Sequence, residues 1–520
     1  MLGNYFSSKT LGRKLFLSYG NKVNVIMDLI EEEYVDSVNM KDMVENVIPE
    51  LINELDPHSS YIPADQILRT NEELEGSFGG IGIGFVVQED TIMVVNVIEG
   101  GPSEQAGIEA GDRLVTIEDS VFTGAGISVD SIKDRLRGVI GTKVRIGIKK
   151  KTADQIVDYE IIRGSISENT ILASYQVDEG IGLLKIQKFA RSTYDEFLQA
   201  LAKLSNAGCT AFILDLRSNP GGILDIAINM ANDFLSPGQL IVYTEGKSVQ
   251  KVEAVANGTG SFQNNRLVVL MDELSASASE VFAGAMQDND RGLIIGRRSY
   301  GKGLVQKPIQ LSDGSALRLT IARYYTPSGR CIQRDYVLGK SDIYEQDWID
   351  RFSHGESFFQ DSIKFDENLK YYTSSGRVVY GGGGIMPDIF VPRDTTGITS
   401  YFMNLENTEI FYRYAFRYVD SRRDQLKKFK DYESLYQYLK SQPILNEVVE
   451  FAESQGIKRR TNLIYISSKL IEKYTIGYIA GNVLGNEWVY PIIMKDDPVI
   501  TKAIESLKKE PFANLLRGNR

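Results

Sequence analysis

The sequence predicts an α/β protein: an α/β core interrupted upstream by a small β-rich module, with helical regions at both ends. Three observations predict this. Between residues 165 and 335, short apolar runs alternate with helical segments, the pattern of buried strands covered by helices. Between 77 and 163 the chain becomes glycine-rich and alternates apolar with polar residues, as half-buried strands do. Before about 55 and beyond about 397 the apolar spacing is helical. The expected units are 1–76, 77–163, 164–395 and 396–520, in keeping with a chain of 520 residues.

The first helical region contains two runs. Val23, Ile26, Met27, Ile30 and Tyr34 form one; Met43, Val47, Ile48, Leu51, Ile52 and Leu55 form the second, after Asn39. A turn-rich stretch with Pro57, Ser59, Ser60 and Pro63 follows. In the β-rich module, Gly79 to Phe85, Thr91 to Ile98 and Lys143 to Lys149 read as extended, and Ser128 to Leu136 as a helix. The core strands are Ile181 to Ile186, Ala211 to Leu216, Leu267 to Met271 and Leu293 to Ile295. Its helices are Tyr194 to Leu204, Ile223 to Phe234 and Ala276 to Met286. The glycine run Gly381 to Gly384 precedes one more strand. Beyond it the chain is helical and charged, with Leu426, Lys427, Lys428 and Lys430 on such segments.

Composition narrows the function. The chain is 42% hydrophobic and 24% charged, with net charge −11 and no dense Lys/Arg block. That argues against nucleic acid as a partner. No run of 18 apolar residues spans a membrane. The abrupt start, Met1 to Phe6, reads as the trailing edge of a removed anchor. His58 and His354 are the only histidines, so a Ser-His-Asp triad would have to use one of them. No H-E-x-x-H or C-x-x-C pattern occurs, and neither a metal site nor a cofactor is expected. Cys209 and Cys331 cannot form a disulfide framework, although one bridge between them stays open.

Three segments carry candidate chemistry. In Asp215-Leu216-Arg217-Ser218-Asn219-Pro220-Gly221-Gly222 a strand runs into a turn whose glycines can aim backbone N–H groups into open space. An oxyanion hole is built this way, but so is an ordinary tight turn. Ser275-Ala276-Ser277-Ala278-Ser279-Glu280 opens a helix, where free N–H groups and the helix dipole favour a nucleophile that passes through an oxyanion. The competing reading is a capping box formed by Ser277 and Glu280. Gly296 to Gly303 approaches the phosphate-loop pattern G-x-x-x-x-G-K-[ST]. It fails where Gly303 replaces the hydroxyl residue, and the extended residues after it fail to open a helix. Lys302 is better read as a buried amine able to serve as a general base.

Taken together and in this order, these segments resemble the carboxyl-terminal processing peptidases, or tail-specific proteases. Leu55-Asp56-Pro57-His58-Ser59-Ser60-Tyr61, Gly301-Lys302-Gly303-Leu304-Val305-Gln306 and Tyr325-Thr326-Pro327-Ser328-Gly329-Arg330 belong to the same likeness, which covers roughly residues 20 to 395. The resemblance implies a core similar to the crotonase and Clp protease fold, with 77–163 as a PDZ domain. It implies Ser277 as nucleophile, Lys302 as general base and Gln306 as the residue that orients the lysine. Ala278 and Gly221 or Gly222 would supply the oxyanion N–H groups. Residues alone do not choose Ser277 over Ser275 or Ser279. Gly80-Ile81-Gly82-Ile83 matches the loop with which PDZ modules hold a terminal carboxylate while the peptide adds as a strand.

The implied activity is that of a serine endopeptidase acting on unfolded or tail-exposed proteins. The helices at either end are candidates for homo-oligomer assembly. Family members are usually exported, so a periplasmic or tethered location is expected, through an N-terminal segment absent from this chain. Two alternatives remain at this stage: a silent PDZ scaffold that binds peptide tails, and a crotonase-like acyl-CoA enzyme with the same oxyanion geometry.

Overall fold

The central sheet has the strand order Ile171–Asp178, Ile181–Ile186, Ala211–Asp215, Arg266–Met271, Leu293–Gly296, Ile389–Phe390. Its first pair is antiparallel and the rest are parallel. The computed structural model describes residues 19–88, 91–118, 120–122, 128–150 and 155–517. Met1 to Phe6, and with them the expected trace of an anchor, lie outside the described residues.

Strand side chains alternate between two cores. Leu184, Phe212, Leu214, Val269 and Ile294 face the helices Thr193–Asn206, Leu224–Asn232 and Ala278–Asp288. Leu183, Ile213, Val268, Leu270 and Ile295 face the other way, against Val499, Ile500, Ala503 and Leu507 of the helix Pro498–Lys508. Coverage on both faces explains why these strands read as unbroken apolar runs. The region beyond 396 is therefore more than an appendage, because one of its last helices forms a wall of the core.

A second sheet lies beside the first. Ser60–Ile62, Ala316–Tyr325, Leu240–Glu245 and Val252–Val255 follow in order, and Leu304–Gln310 also pairs along Ala316–Tyr325. The strand Ser60–Ile62 was read only as turn-rich, because three residues are too few to show a period. The helix Ser341–Ser353 and the hairpin Lys370–Tyr372/Val378–Tyr380 were not foreseen either.

The β-rich module is a sheet ordered Ile83–Gln88, Thr91–Val97, Arg113–Ile117, Lys143–Lys149, Ile156–Ile162, closed by the helix Val129–Leu136. A ribbon of Ser77–Gly80 against Gly164–Ser167 carries the chain in and out. Beyond 396 helices dominate, from Ser400–Asn407 to Phe512–Arg517. Lys427 and Lys428 fall in the turn after the short helix Arg423–Leu426 and Lys430 just beyond it, rather than on a helix. The outer face of the module's sheet, through Val86 and Met93, is buried against Phe416, with Val95 and Tyr412 partly buried beside them. Among the described residues no helix is long and apolar enough to cross a membrane. Cys209 and Cys331 are unpaired.

Candidate active site

Three loops leave the carboxyl ends of three adjacent parallel strands. Ala211–Asp215 leads into residues 216–223, Arg266–Met271 into 272–277, and Leu293–Gly296 into 297–303. Ligands of open parallel sheets bind at this edge. The three motifs singled out in the sequence thus meet at one place.

Ser277 has φ 55° and ψ −115°, a conformation costly for a residue with a side chain. For that reason the helix expected from Ala276 begins at Ala278. The serine triplet separates by environment. Ser275 is buried, with its Oγ on the Leu216 carbonyl at 2.8 Å. Ser279 is buried, with its Oγ on the Asn219 carbonyl at 3.0 Å. Ser277 alone is partly open, and the Tyr324 phenol, held above its ordinary range by burial, lies close to its hydroxyl. The glutamate half of the capping box is present: the Ser277 N–H donates to Glu280 Oε2 at 2.8 Å.

Of the glycines expected to supply oxyanion donors, Gly221 is already engaged. Its N–H donates to Asn219 Oδ1 at 2.9 Å, and its carbonyl accepts from Phe189 at 2.8 Å. The N–H groups of Gly222 and Ala278 take no hydrogen-bond partner among the described residues. Gly221 serves instead as a close neighbour of the serine. A Cβ at 221 would lie 2.7 Å from Ser277 Cβ and 2.8 Å from the Ala278 nitrogen. At 222 it would lie 2.1 Å from the Phe189 carbonyl oxygen. With φ at 98° and 141°, neither position accepts a side chain. Ser218, at φ 57°, is held by Asp272, which accepts its N–H at 2.8 Å and its Oγ at 3.1 Å.

The Lys302 N–H donates to Glu280 Oε2 at 2.9 Å, and the Gly301 N–H to Glu280 Oε1 at 2.7 Å. Burial, helped by the Arg318 charge, holds the Lys302 amine below its ordinary range, while Glu280 and Asp56 oppose the shift. Among the described residues the Gln306 amide nitrogen donates to the His58 carbonyl rather than engaging Lys302. A register slip between Val305 and Gln306 re-aims the side chain. The segment around His58 is fixed in turn by Asp56 Oδ1, which accepts from the N–H groups of His58 and Ser59 at 2.9 Å each and from Thr320 Oγ1 at 3.0 Å. The His58 ring meets the Tyr344 hydroxyl at 3.1 Å. Burial and then the Lys302 charge push its pKa down to about 4, against Asp56.

In the β-rich module Gly80 ends one strand and Ile83 begins the next. Ile83–Gln88 is the open edge of its sheet. The Ile81 and Gly82 carbonyls accept from Ser103 and Ile98. The N–H groups of Ile81 and Gly82 have no partner among the described residues, so the loop offers donors beside an unpaired strand.

Residues 180–342 match the model of peptidase family S41, and residues 79–161 that of the PDZ domain. A carboxy-terminal-processing protease of Bartonella bacilliformis is 36% identical over 313 residues, 59% of this chain and 71% of that one. The chain belongs to the carboxy-terminal-processing proteases of peptidase family S41. A probable CtpA-like serine protease of Staphylococcus haemolyticus is 32% identical over 313 residues, 60% of this chain and 62% of that relative, less than two thirds of its length. The solved photosystem II D1 C-terminal processing protease is 27% identical, with 60% of this chain and 83% of that one covered at a TM-score of 0.35. Residues 401–485 match a family of unknown function. The chain is thus a serine-type processing protease with a PDZ domain.

Sequence reading missed three contributors. Glu280 was seen only as a cap, because its burial and its bonds to the lysine loop exist only in the fold. Asn219 was seen only as a turn residue. Tyr324 carried no local signal, because only the pairing of distant strands brings it to the serine.

Proposed function

We propose that this protease cleaves unfolded or tail-exposed proteins with a Ser277–Lys302 dyad, and that its PDZ domain selects them by their C-terminal carboxylates. One observation carries the reading: Ser277 alone of its triplet is open, and it stands in a strained conformation in the loop cluster where the N–H groups of Gly222 and Ala278 have no partner among the described residues. Lys302, with its pKa lowered by burial, takes the Ser277 proton in its neutral form. Ser277 Oγ then attacks the peptide carbonyl, and Gly222 and Ala278 donate to the oxyanion. The lysine returns the proton to the leaving amine, and water releases the acyl group by the reverse sequence. In the PDZ domain the N–H groups of Ile81 and Gly82, without a partner among the described residues, suit a terminal carboxylate, and the open strand Ile83–Gln88 suits an added peptide strand.

The test pairs one variant with one substrate change. Ser277→Ala should abolish cleavage while Ser275→Ala and Ser279→Ala retain it. Amidating the substrate's C-terminus should weaken capture. Parent-rate cleavage by Ser277→Ala would remove the dyad. Equal cleavage of amidated and free tails would remove only the selector.

A further inference from the structure

Asp215 and Arg217 begin the segment that ends at Gly222, and neither is used by the chemistry above. Both are sequestered with residues from the far end of the chain. Asp215 is fully buried. The Arg217 guanidinium binds it through Nε and Nη2, at 3.0 and 2.6 Å to Oδ2. Its remaining nitrogen, Nη1, binds Asp497 at 3.1 and 2.9 Å. The Tyr490 hydroxyl donates to Asp215 Oδ2 and accepts from Arg217 Nη2 at 3.3 Å. Lys185 completes the group, with Nζ on the Arg217 carbonyl and 3.5 Å from Asp215 Oδ1. Two cations face two carboxylates, so the cluster is neutral as a whole, and buried charges persist only when balanced in this way.

We propose that Tyr490 and Asp497 are positioning residues for the oxyanion turn, acting through Arg217; the inference rests on the reading of Gly222 as an oxyanion donor. Arg217 is clamped at both ends of its fork, and its own N–H is fixed to Asp215 Oδ1 at 2.9 Å. The next residue is Ser218 with its positive φ, then Asn219, whose carbonyl accepts from Ala276 at 3.0 Å and whose Oδ1 holds Gly221. The direction of the Gly222 N–H is therefore set between two anchors: the serine loop on one side and the Arg217 clamp on the other. Half of that clamp comes from the C-terminal region. Asp497 also caps the helix Pro498–Lys508 by accepting from Val499 at 3.0 Å and Ile500 at 2.9 Å, so the wall of the core and the oxyanion turn share one carboxylate. This gives the C-terminal region a part in catalysis although it contributes no reacting group.

Asp497→Asn keeps the cap, since asparagine caps as well as aspartate, and replaces Oδ2, the acceptor of Arg217 Nη1, with an NH2 group as well as removing the charge. Tyr490→Phe removes one oxygen. In the full-length protein, kcat on a fluorogenic peptide should fall about tenfold for Asp497→Asn and several-fold for Tyr490→Phe, with KM within about twofold of the parent. The double variant should lose less than the product of the two, because both act through one guanidinium. Amide exchange over residues 217–223 should quicken in both variants. Glu505→Gln, on the same helix but paired only with exposed Lys502, should leave kcat unchanged. Parent-like kcat and exchange in Tyr490→Phe would overturn the inference, even if Asp497→Asn failed to fold. A kcat loss that vanished once rates were normalised to the folded fraction would overturn it as well. The exchange measurement does not depend on the Ser277 assignment, so an active Ser277→Ala enzyme would defeat the dyad without being mistaken for failure of the clamp.

Discussion

Ser277 and Lys302 are joined through their backbones: one carboxylate oxygen, Glu280 Oε2, accepts the N–H of Ser277 at 2.8 Å and that of Lys302 at 2.9 Å. The other oxygen accepts from Gly301 and from Ser299 Oγ. Four donors converge on one fully buried carboxylate. The helix that presents the serine and the loop that presents the lysine therefore cannot move independently.

Glu280→Gln replaces one acceptor with an NH2 group facing donors. With two buried donors left unpaired at about 1–3 kcal/mol each, the variant should lose roughly 2–6 kcal/mol of stability. Its kcat should fall about a hundredfold or more, because the two loops lose their common anchor. Denaturant unfolding and steady-state kinetics on the same preparation check this. Parent values in both would show that the carboxylate does not join the loops.

For Lys302 the sign follows from the direction of its shift. A lysine whose folded pKa lies below its unfolded 10.5 binds fewer protons when folded, so it costs stability at neutral pH and that cost fades as pH rises towards 10.5. Lys302→Met should be inactive, yet unfold at a higher denaturant concentration than the parent at pH 7. The gap should close on going alkaline. Parent activity should rise with pH through the depressed pKa. An inactive Lys302→Met that is less stable than the parent at pH 7 would contradict the depressed pKa.

Much of this site was legible in the sequence. Asn-Pro-Gly-Gly, the serine triplet and Gly-Lys-Gly each follow an apolar run, and parallel strands bring such loops together at one edge. The choice among Ser275, Ser277 and Ser279 was not legible from the residues, because it depends on which hydroxyls the Leu216 and Asn219 carbonyls occupy. The bonds of the Gln306 amide and the Gly221 N–H were not legible either, since a register slip and a neighbouring asparagine decide those. The Arg217–Asp497 clamp lay beyond any local pattern, because only the folding of the last helices onto the sheet creates it.

His58 gives an acid-stability prediction. Its folded pKa of about 4 lies below the ordinary 6.5, so the unfolded chain binds the extra proton first as pH falls. The stability this neutral ring contributes is fully present above pH 6.5 and is lost between 6.5 and about 4, to an extent of up to roughly 3 kcal/mol. His58→Gln has no titrating ring and should lose less stability over that interval, while still cleaving peptide. Identical pH–stability curves for parent and variant would show that the ring is not held neutral.

The seam between the PDZ sheet and the C-terminal helices supplies the last prediction. Val86 and Met93 lie on the back of the two strands nearest the open edge of the sheet, and both bury against Phe416. An aspartate at 416 would place a charge without a partner in that apolar contact, and the PDZ domain should let go of the helices rather than bury it. Amide exchange should then quicken across Ile83–Gln88 and Thr91–Val97, while the domain's own core, centred on Ile92, Leu114 and Ile146, stays protected. Tail-peptide affinity should hold within about threefold, because the loop at Ile81 and Gly82 is untouched. Cleavage rate should change, upward if the docked position restrains the domain and downward if it presents the tail to Ser277. Phe416→Leu, which keeps the apolar contact, should behave as the parent. Unchanged exchange in both strands of a folded Phe416→Asp protein would show that the seam does not hold the domain.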